Sequence, residues 1–171
     1  MVASATKLYF RQVNLEFPPF SKGKTIPQMG RTSKLTSLLV NSLFSNHSIG
    51  LTKEQFILLL WIETEPKPQS SLAIITERNK GSLTRLVQSL EKKGYVKRRV
   101  CGKDSRVNYV EIADLGREIV EKAKPIIQQL FNSLQKGIDP KHNEIALQVL
   151  KQIQKNAFEE FEILEKNKNS K

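Results

Sequence analysis

Apolar positions along the chain change period several times, and those changes mark out its elements. From Pro27 onward Leu35, Leu38, Leu39 and Leu43 recur at helical spacing, which predicts a first helix ending near His47–Gly50. Thr52 then has the chemistry of an N-cap, with Gln55 three residues later completing a capping box. Phe56, Leu59 and Leu60 form the buried stripe of a second helix running to about Thr64. Pro66 and Pro68 stop it. Ser70 or Ser71 is suited to cap a short third helix bearing Leu72, Ile74 and Ile75, before the polar break Glu77–Asn79. A fourth helix, Lys80–Lys93, is capped by Asn79 or its neighbour and closed by Gly94.

Beyond Gly94 the period shortens. Tyr95–Val100 and Val107–Ile112 read as the strands of a hairpin, joined by Cys101–Arg106 with Gly102 and Asp104 as turn formers. Two long amphipathic helices follow, Leu115–Leu134 and Glu144–Leu164, separated by Gly137, Asp139 and Pro140, with a bend expected at Pro125. Before all of this, residues 1–25 mix short alternation (Leu8, Phe10, Val13, Leu15, Phe17) with Pro18, Pro19 and Gly23. They read as an extended arm, either a loose tail or a segment that packs its Phe residues on a partner subunit. The expected fold is mainly α with a small β-hairpin wing, a winged helix-turn-helix. Its divisions are an arm at 1–25, an N-terminal helix at 26–50, a winged domain at 51–112, a helical region at 113–165 and a polar tail at 166–171.

Charge narrows the partner. The chain of 171 residues has a formal net charge of +11, which favours a polyanion, nucleic acid or an anionic membrane surface. Residues 70–110 hold ten Lys/Arg against three Asp/Glu, whereas 111–171 hold ten of each, so the excess sits over the predicted third and fourth helices and the hairpin. On a helical wheel Leu83, Leu86, Val87 and Leu90 share one face of the fourth helix. Gly81, Thr84, Arg85, Gln88 and Lys92 share the other. Arg and Gln are the side chains that bond guanine and adenine edges bidentately in the major groove, and Lys80 and Ser82 at the helix start suit phosphate. The hairpin adds Lys97, Arg98, Arg99, Lys103 and Arg106, with Arg106 the candidate for groove insertion. Asp104 orients Arg85 or Arg106 if it serves recognition at all.

The segments LTKEQFILLL, SSLAIITERNKGSLTRLVQSLEKKGYVKRR, KDSR and IADLGRE together resemble the MarR (multiple antibiotic resistance regulator) family, over about Ile26 to Phe161. KDSR matches the family's D-x-R wing motif at Asp104 and Arg106. The resemblance implies six helices with the wing between the fourth and fifth, and a two-fold dimer built on the first and last helices. It also implies a quasi-palindromic operator read by paired fourth helices, often released by a small ligand. Carried over by position, the recognition-helix contacts are Lys80, Ser82, Thr84 and Arg85, the wing contact is Arg106, and the third-helix backbone contact falls near Ser70 and Ser71. The ligand pocket has Leu39, Phe44, Phe56, Trp61 and Ile119 as candidate lining, each equally able to be plain core. Glu77 departs from the pattern, standing where the family commonly has Gly, and so does the apolar Ile75.

The expected function is therefore that of a cytoplasmic, homodimeric, sequence-specific regulator of transcription acting on double-stranded DNA, in the repressor mode, with no cofactor and no membrane span. A monomer with its last helices folded back is the alternative assembly, and a winged-helix module for protein or RNA contact the alternative function. Catalysis finds little support, since only His47 and His142 are present as histidines and no phosphate loop or nucleophile motif occurs. Cys101, the single cysteine, rules out an intrachain disulfide. It reads either as a wing redox sensor or as incidental.

Overall fold

In the computed structural model, residues 23–100 and 108–169 are described. Among these residues six helices and three strands follow in the order α1 (Thr25–Asn46), α2 (Lys53–Trp61), β1 (Lys67–Pro68), α3 (Gln69–Ile75), α4 (Lys80–Lys92), β2 (Val96–Val100), β3 (Asn108–Ile112), α5 (Asp114–Gln135) and α6 (Pro140–Asn169). The chain divides into two compact units, Met1–Gln128 and Gln129–Lys171.

The first unit is organised around side chains from its five helices and from β3. Phe44 of α1, Leu58 and Leu59 of α2, Leu72 of α3, Leu83, Val87 and Leu90 of α4, Val110 of β3 and Val120 of α5 are all fully buried. Each such side chain contributes on the order of 2 kcal/mol by leaving water. Phe44 and Phe56 meet edge to face, with ring centroids 5.5 Å apart. This geometry suits the aromatic quadrupoles and fixes α1 on α2.

The sheet has the order β1-β3-β2, antiparallel throughout. The hairpin register pairs Val96 with Ile112, Lys97 with Glu111, Arg98 with Val110 and Arg99 with Tyr109. β1 is an addition to the sequence expectation. Its two residues pair Lys67 with Val110 and Pro68 with Tyr109, and Pro68 is accommodated because β1 is an edge strand. This strand also corrects the expected start of α3. The helix begins at Gln69 directly out of Pro68, with no side-chain cap, so Ser70 and Ser71 lie in its first turn rather than capping it.

The capping box at Thr52 forms as expected, Thr52 Oγ1 accepting from Gln55 N and Gln55 Oε1 from Thr52 N. α2 ends at Trp61, short of Thr64. Arg117 of α5 donates to Glu63 O at 2.6 Å, and Lys124 to Glu63 Oε1 at 2.5 Å, so this stretch is held outside the helix. Gly116 permits the start of α5 to approach the chain just before β2, because a Cβ there would collide with Tyr95 O.

In the second unit, α6 starts earlier than its apolar stripe suggests. Asp139 Oδ1 accepts from Lys141 N at 2.7 Å, capping a helix whose first residue is Pro140. Gly137, at φ +80°, follows the end of α5. Ile145, Leu147, Val149, Phe158, Phe161, Ile163 and Leu164 of α6 are all exposed. No helix among the described residues is long and apolar enough to cross a membrane.

Candidate nucleic-acid interface

α3 and α4 are joined by four residues whose backbone is tightly specified. Arg78 N bonds Ala73 O and Glu77 N bonds Ile74 O, the paired bonds of a Schellman motif, with Glu77 in the left-handed region at φ +52°. Thr76 Oγ1 reinforces the end of α3 by donating to Leu72 O. Asn79 then caps α4, its Oδ1 accepting from Ser82 N at 2.8 Å. This short connection gives a helix-turn-helix, in which α3 fixes the direction of α4.

α4 is two-sided. Leu83, Val87 and Leu90 are buried and Leu86 is half-buried, while Lys80, Gly81, Arg85, Gln88 and Lys92 are exposed. No acidic residue occupies the first turn of α4, where the helix dipole and the free N–H groups favour anions. Thr84 and Ser82, both half-buried, are tied to neighbours that sequence reading did not single out. Gln69 Nε2 donates to Thr84 Oγ1 at 3.0 Å, and Arg78 Nη1 to Ser82 Oγ at 3.0 Å. Pairs 15 residues apart across a turn leave no periodic signal, so only the fold reveals the first of these. Ser70 is exposed and Ser71 half-buried on α3.

The far end of α4 is locked by Gln55, which is buried with only 4% of its surface exposed. Gln55 Nε2 donates to Ser89 Oγ at 3.0 Å, and Lys93 Nζ donates both to Gln55 Oε1 at 2.9 Å and to Gly50 O at 2.8 Å. The chain leaves α4 through Gly94, at φ +71°, in a second Schellman motif.

In β2, Lys97 and Arg99 are exposed, whereas Arg98 is half-buried beside Glu91 of α4, its Nε 3.4 Å from Glu91 Oε2. Arg98 Nε and Nη2 find no hydrogen-bond acceptor among the described residues. Alternation along the strand thus splits the basic run, with Arg98 turned toward α4 and Lys97 and Arg99 toward solvent. The expected tip residues Cys101, Lys103, Asp104 and Arg106 lie outside the described residues. Of the expected pocket residues, Phe44 and Phe56 are buried, Ile119 is half-buried, and Leu39 and Trp61 are exposed on one side. No cluster of His, Cys, Asp or Glu fit to hold a metal occurs among the described residues.

A helix-turn-helix followed directly by a β-hairpin wing defines the winged helix-turn-helix class. The chain belongs to the MarR family, whose family pattern matches residues 49–107, and it is thus a transcriptional regulator rather than an enzyme. It is similar to the HTH-type transcriptional regulator SarZ of Staphylococcus haemolyticus (strain JCSC1435), at 33% identity over 110 residues covering 64% of this chain and 74% of SarZ. With the uncharacterized HTH-type transcriptional regulator YdgJ of Bacillus subtilis (strain 168) the identity is 26% over 100 residues, 58% of this chain and 61% of YdgJ. The fold matches that of a MarR mutant from E. coli complexed with operator DNA, with a TM-score of 0.72 at 22% identity over 80% of this chain and 99% of that one. It also matches the transcriptional regulator BldR from Sulfolobus solfataricus, at 0.70 and 23% over 82% and 99%.

Proposed function

We propose that this chain is a sequence-specific repressor that binds a quasi-palindromic operator in double-stranded DNA as a homodimer, with α4 in the major groove and the hairpin following the phosphate backbone. The observation that carries this reading is the two-sidedness of α4. Its apolar face is buried, while Lys80, Gly81, Arg85 and Gln88 stand exposed on the opposite side, at the basic centre of the chain. A helix held this way presents an Arg fork and a Gln amide to base edges, and cationic groups to phosphate. Ser70 and Ser71 on α3 and Arg99 and Lys103 of the wing supply backbone contacts, Arg106 enters the minor groove, and Asp104 orients an Arg. That neighbours of this fold include proteins solved with DNA, among them MepR of S. aureus, supports the reading.

Release by a small molecule belongs to the same proposal, with Leu39, Phe44, Phe56, Trp61 and Ile119 as candidate lining. Trp61 is the single tryptophan, so a ligand there changes the intrinsic fluorescence.

The test is a salt titration of affinity for a duplex taken from upstream of the chain's own coding sequence, against random duplex. A specific regulator gives a large affinity ratio and a steep negative salt slope; a protein- or RNA-binding module gives neither. Arg85→Ala relaxes discrimination at one base position by about 1–3 kcal/mol, whereas Lys103→Ala weakens binding to all sequences alike.

A further inference from the structure

α4 carries a hydroxyl that is already engaged within the protein. Thr84 Oγ1 donates its proton to Lys80 O at 2.8 Å and accepts from Gln69 Nε2 at 3.0 Å. A hydroxyl has a single proton, so Thr84 cannot donate to a base without giving up its bond to the helix backbone. Ser82, two positions earlier, is held in the opposite sense. Its Oγ accepts from Arg78 Nη1 at 3.0 Å, which leaves the proton for an outside acceptor. Two small hydroxyl residues of the reading helix thus differ in kind: Ser82 retains a donor, and Thr84 retains a γ-methyl group.

The surface beside Thr84 is open. Gly81 lies one turn before it, and a Cβ added there would meet nothing nearer than Asn79 Oδ1 at 3.7 Å, so a base edge can come close to the backbone. Along the major groove the one apolar group on any base edge is the C5-methyl of thymine.

We propose that Thr84 is a specificity-determining residue that selects thymine through contact of its γ-methyl with the base C5-methyl. Gln69 is its positioning residue, holding the hydroxyl oxygen toward α3. The inference rests on α4 being the major-groove element. Gln69 belongs to α3, so the helix that sets the direction of α4 also sets the orientation of one of its reading side chains.

The experiment begins by selecting duplexes from a randomised library with the full-length protein. Each thymine of the enriched half-site is then replaced by deoxyuridine, which removes the C5-methyl and nothing else. One position is expected to lose about fourfold in affinity, the worth of one buried methyl group. Thr84→Val carries a methyl on both branches of its Cβ, so it needs no bond from Gln69 to present one and retains that penalty. Thr84→Ser abolishes it at that position and leaves the salt slope unchanged. Gln69→Ala reduces it at the same position, whereas a general folding defect would lower affinity for every duplex equally. A penalty that survives Thr84→Ser, or that Thr84→Val removes, overturns the role of the methyl group. One that keeps its full size in Gln69→Ala overturns the positioning role. Enrichment of no sequence at all overturns duplex reading itself, and this inference with it.

Discussion

Glu77 occupies a backbone conformation that disfavours its own side chain. Among the described residues three helices end in a Schellman turn with a left-handed residue, at Ser48, Glu77 and Gly94, and glycine stands at the last alone. A Cβ in that region costs about 1–2 kcal/mol. Glu77→Gly is therefore expected to raise stability by about 1 kcal/mol, read as a higher denaturant midpoint at unchanged slope. Gly94→Ala is expected to lower it by a similar amount. Gly116 has a different requirement, since a Cβ there would collide with Tyr95 O. Gly116→Ala forces Tyr95 and α5 apart at a cost of about 1–3 kcal/mol, measured by the same unfolding curves. The residue scale is also where sequence reading succeeds and fails most clearly. Asn79 and Thr52 were legible as caps because capping depends on neighbours three residues away. The bonds of Gln69 to Thr84 and of Arg78 to Ser82, and the second role of Gln55 toward Ser89 and Lys93, were not, because turns and long-range packing bring those partners near.

Among the elements, α4 is held at both ends by different means. Its N-terminus is set by Asn79 and by the contacts of Arg78 and Gln69, and its C-terminus by Gln55 and Lys93. Gln55→Leu leaves Ser89 and Lys93 without that partner and Thr52 N without its cap. A loss of about 1–3 kcal/mol follows for the buried groups left unsatisfied. If the lock orients α4, affinity for a specific duplex falls further than the lost stability accounts for, while affinity for random duplex holds. The loop after α2 is held by α5 in a charge-dependent way. Hydrogen bonds to Glu121 and then Glu63 raise the pKa of Lys124, and the hydrogen bond and charge of Lys124 lower that of Glu121. The lowered carboxylate contributes stability above its ordinary range and loses it as pH falls through the shifted value. The raised ammonium contributes below its ordinary value and loses it as pH rises through the shifted one. The clamp is thus complete around neutrality, and Lys124→Met should remove any stability difference between neutral and strongly alkaline pH that Lys124 causes. At this scale the helices were legible from their period and the hairpin from its alternation, but β1 was not. Two residues bearing a proline carry no periodicity, and the strand exists because β3 offers an edge for it to pair with.

At the scale of the whole molecule, the exposed face of α6 bears on assembly. Phe158 and Phe161 are 69% and 67% exposed in the single chain, along with five further large apolar residues of the same helix. Such a surface is characteristic of an interface rather than of a solvated helix. In the homodimeric reading, two copies of α4 engage two half-sites, and the number of phosphates neutralised, hence the salt slope, is about twice that of one copy. The double variant Phe158→Glu, Phe161→Glu separates assembly from folding, because neither side chain is buried in the single chain. Sedimentation at micromolar concentration is expected to give a dimer for the unaltered chain and a monomer for the variant, with the same helical content by circular dichroism. Affinity for the selected duplex should fall by at least tenfold, as the second half-site becomes a separate binding event. The salt slope should fall to about half. A variant that still sediments as a dimer would place the interface elsewhere, and a monomeric variant with an undiminished salt slope would show that one copy alone makes all the phosphate contacts.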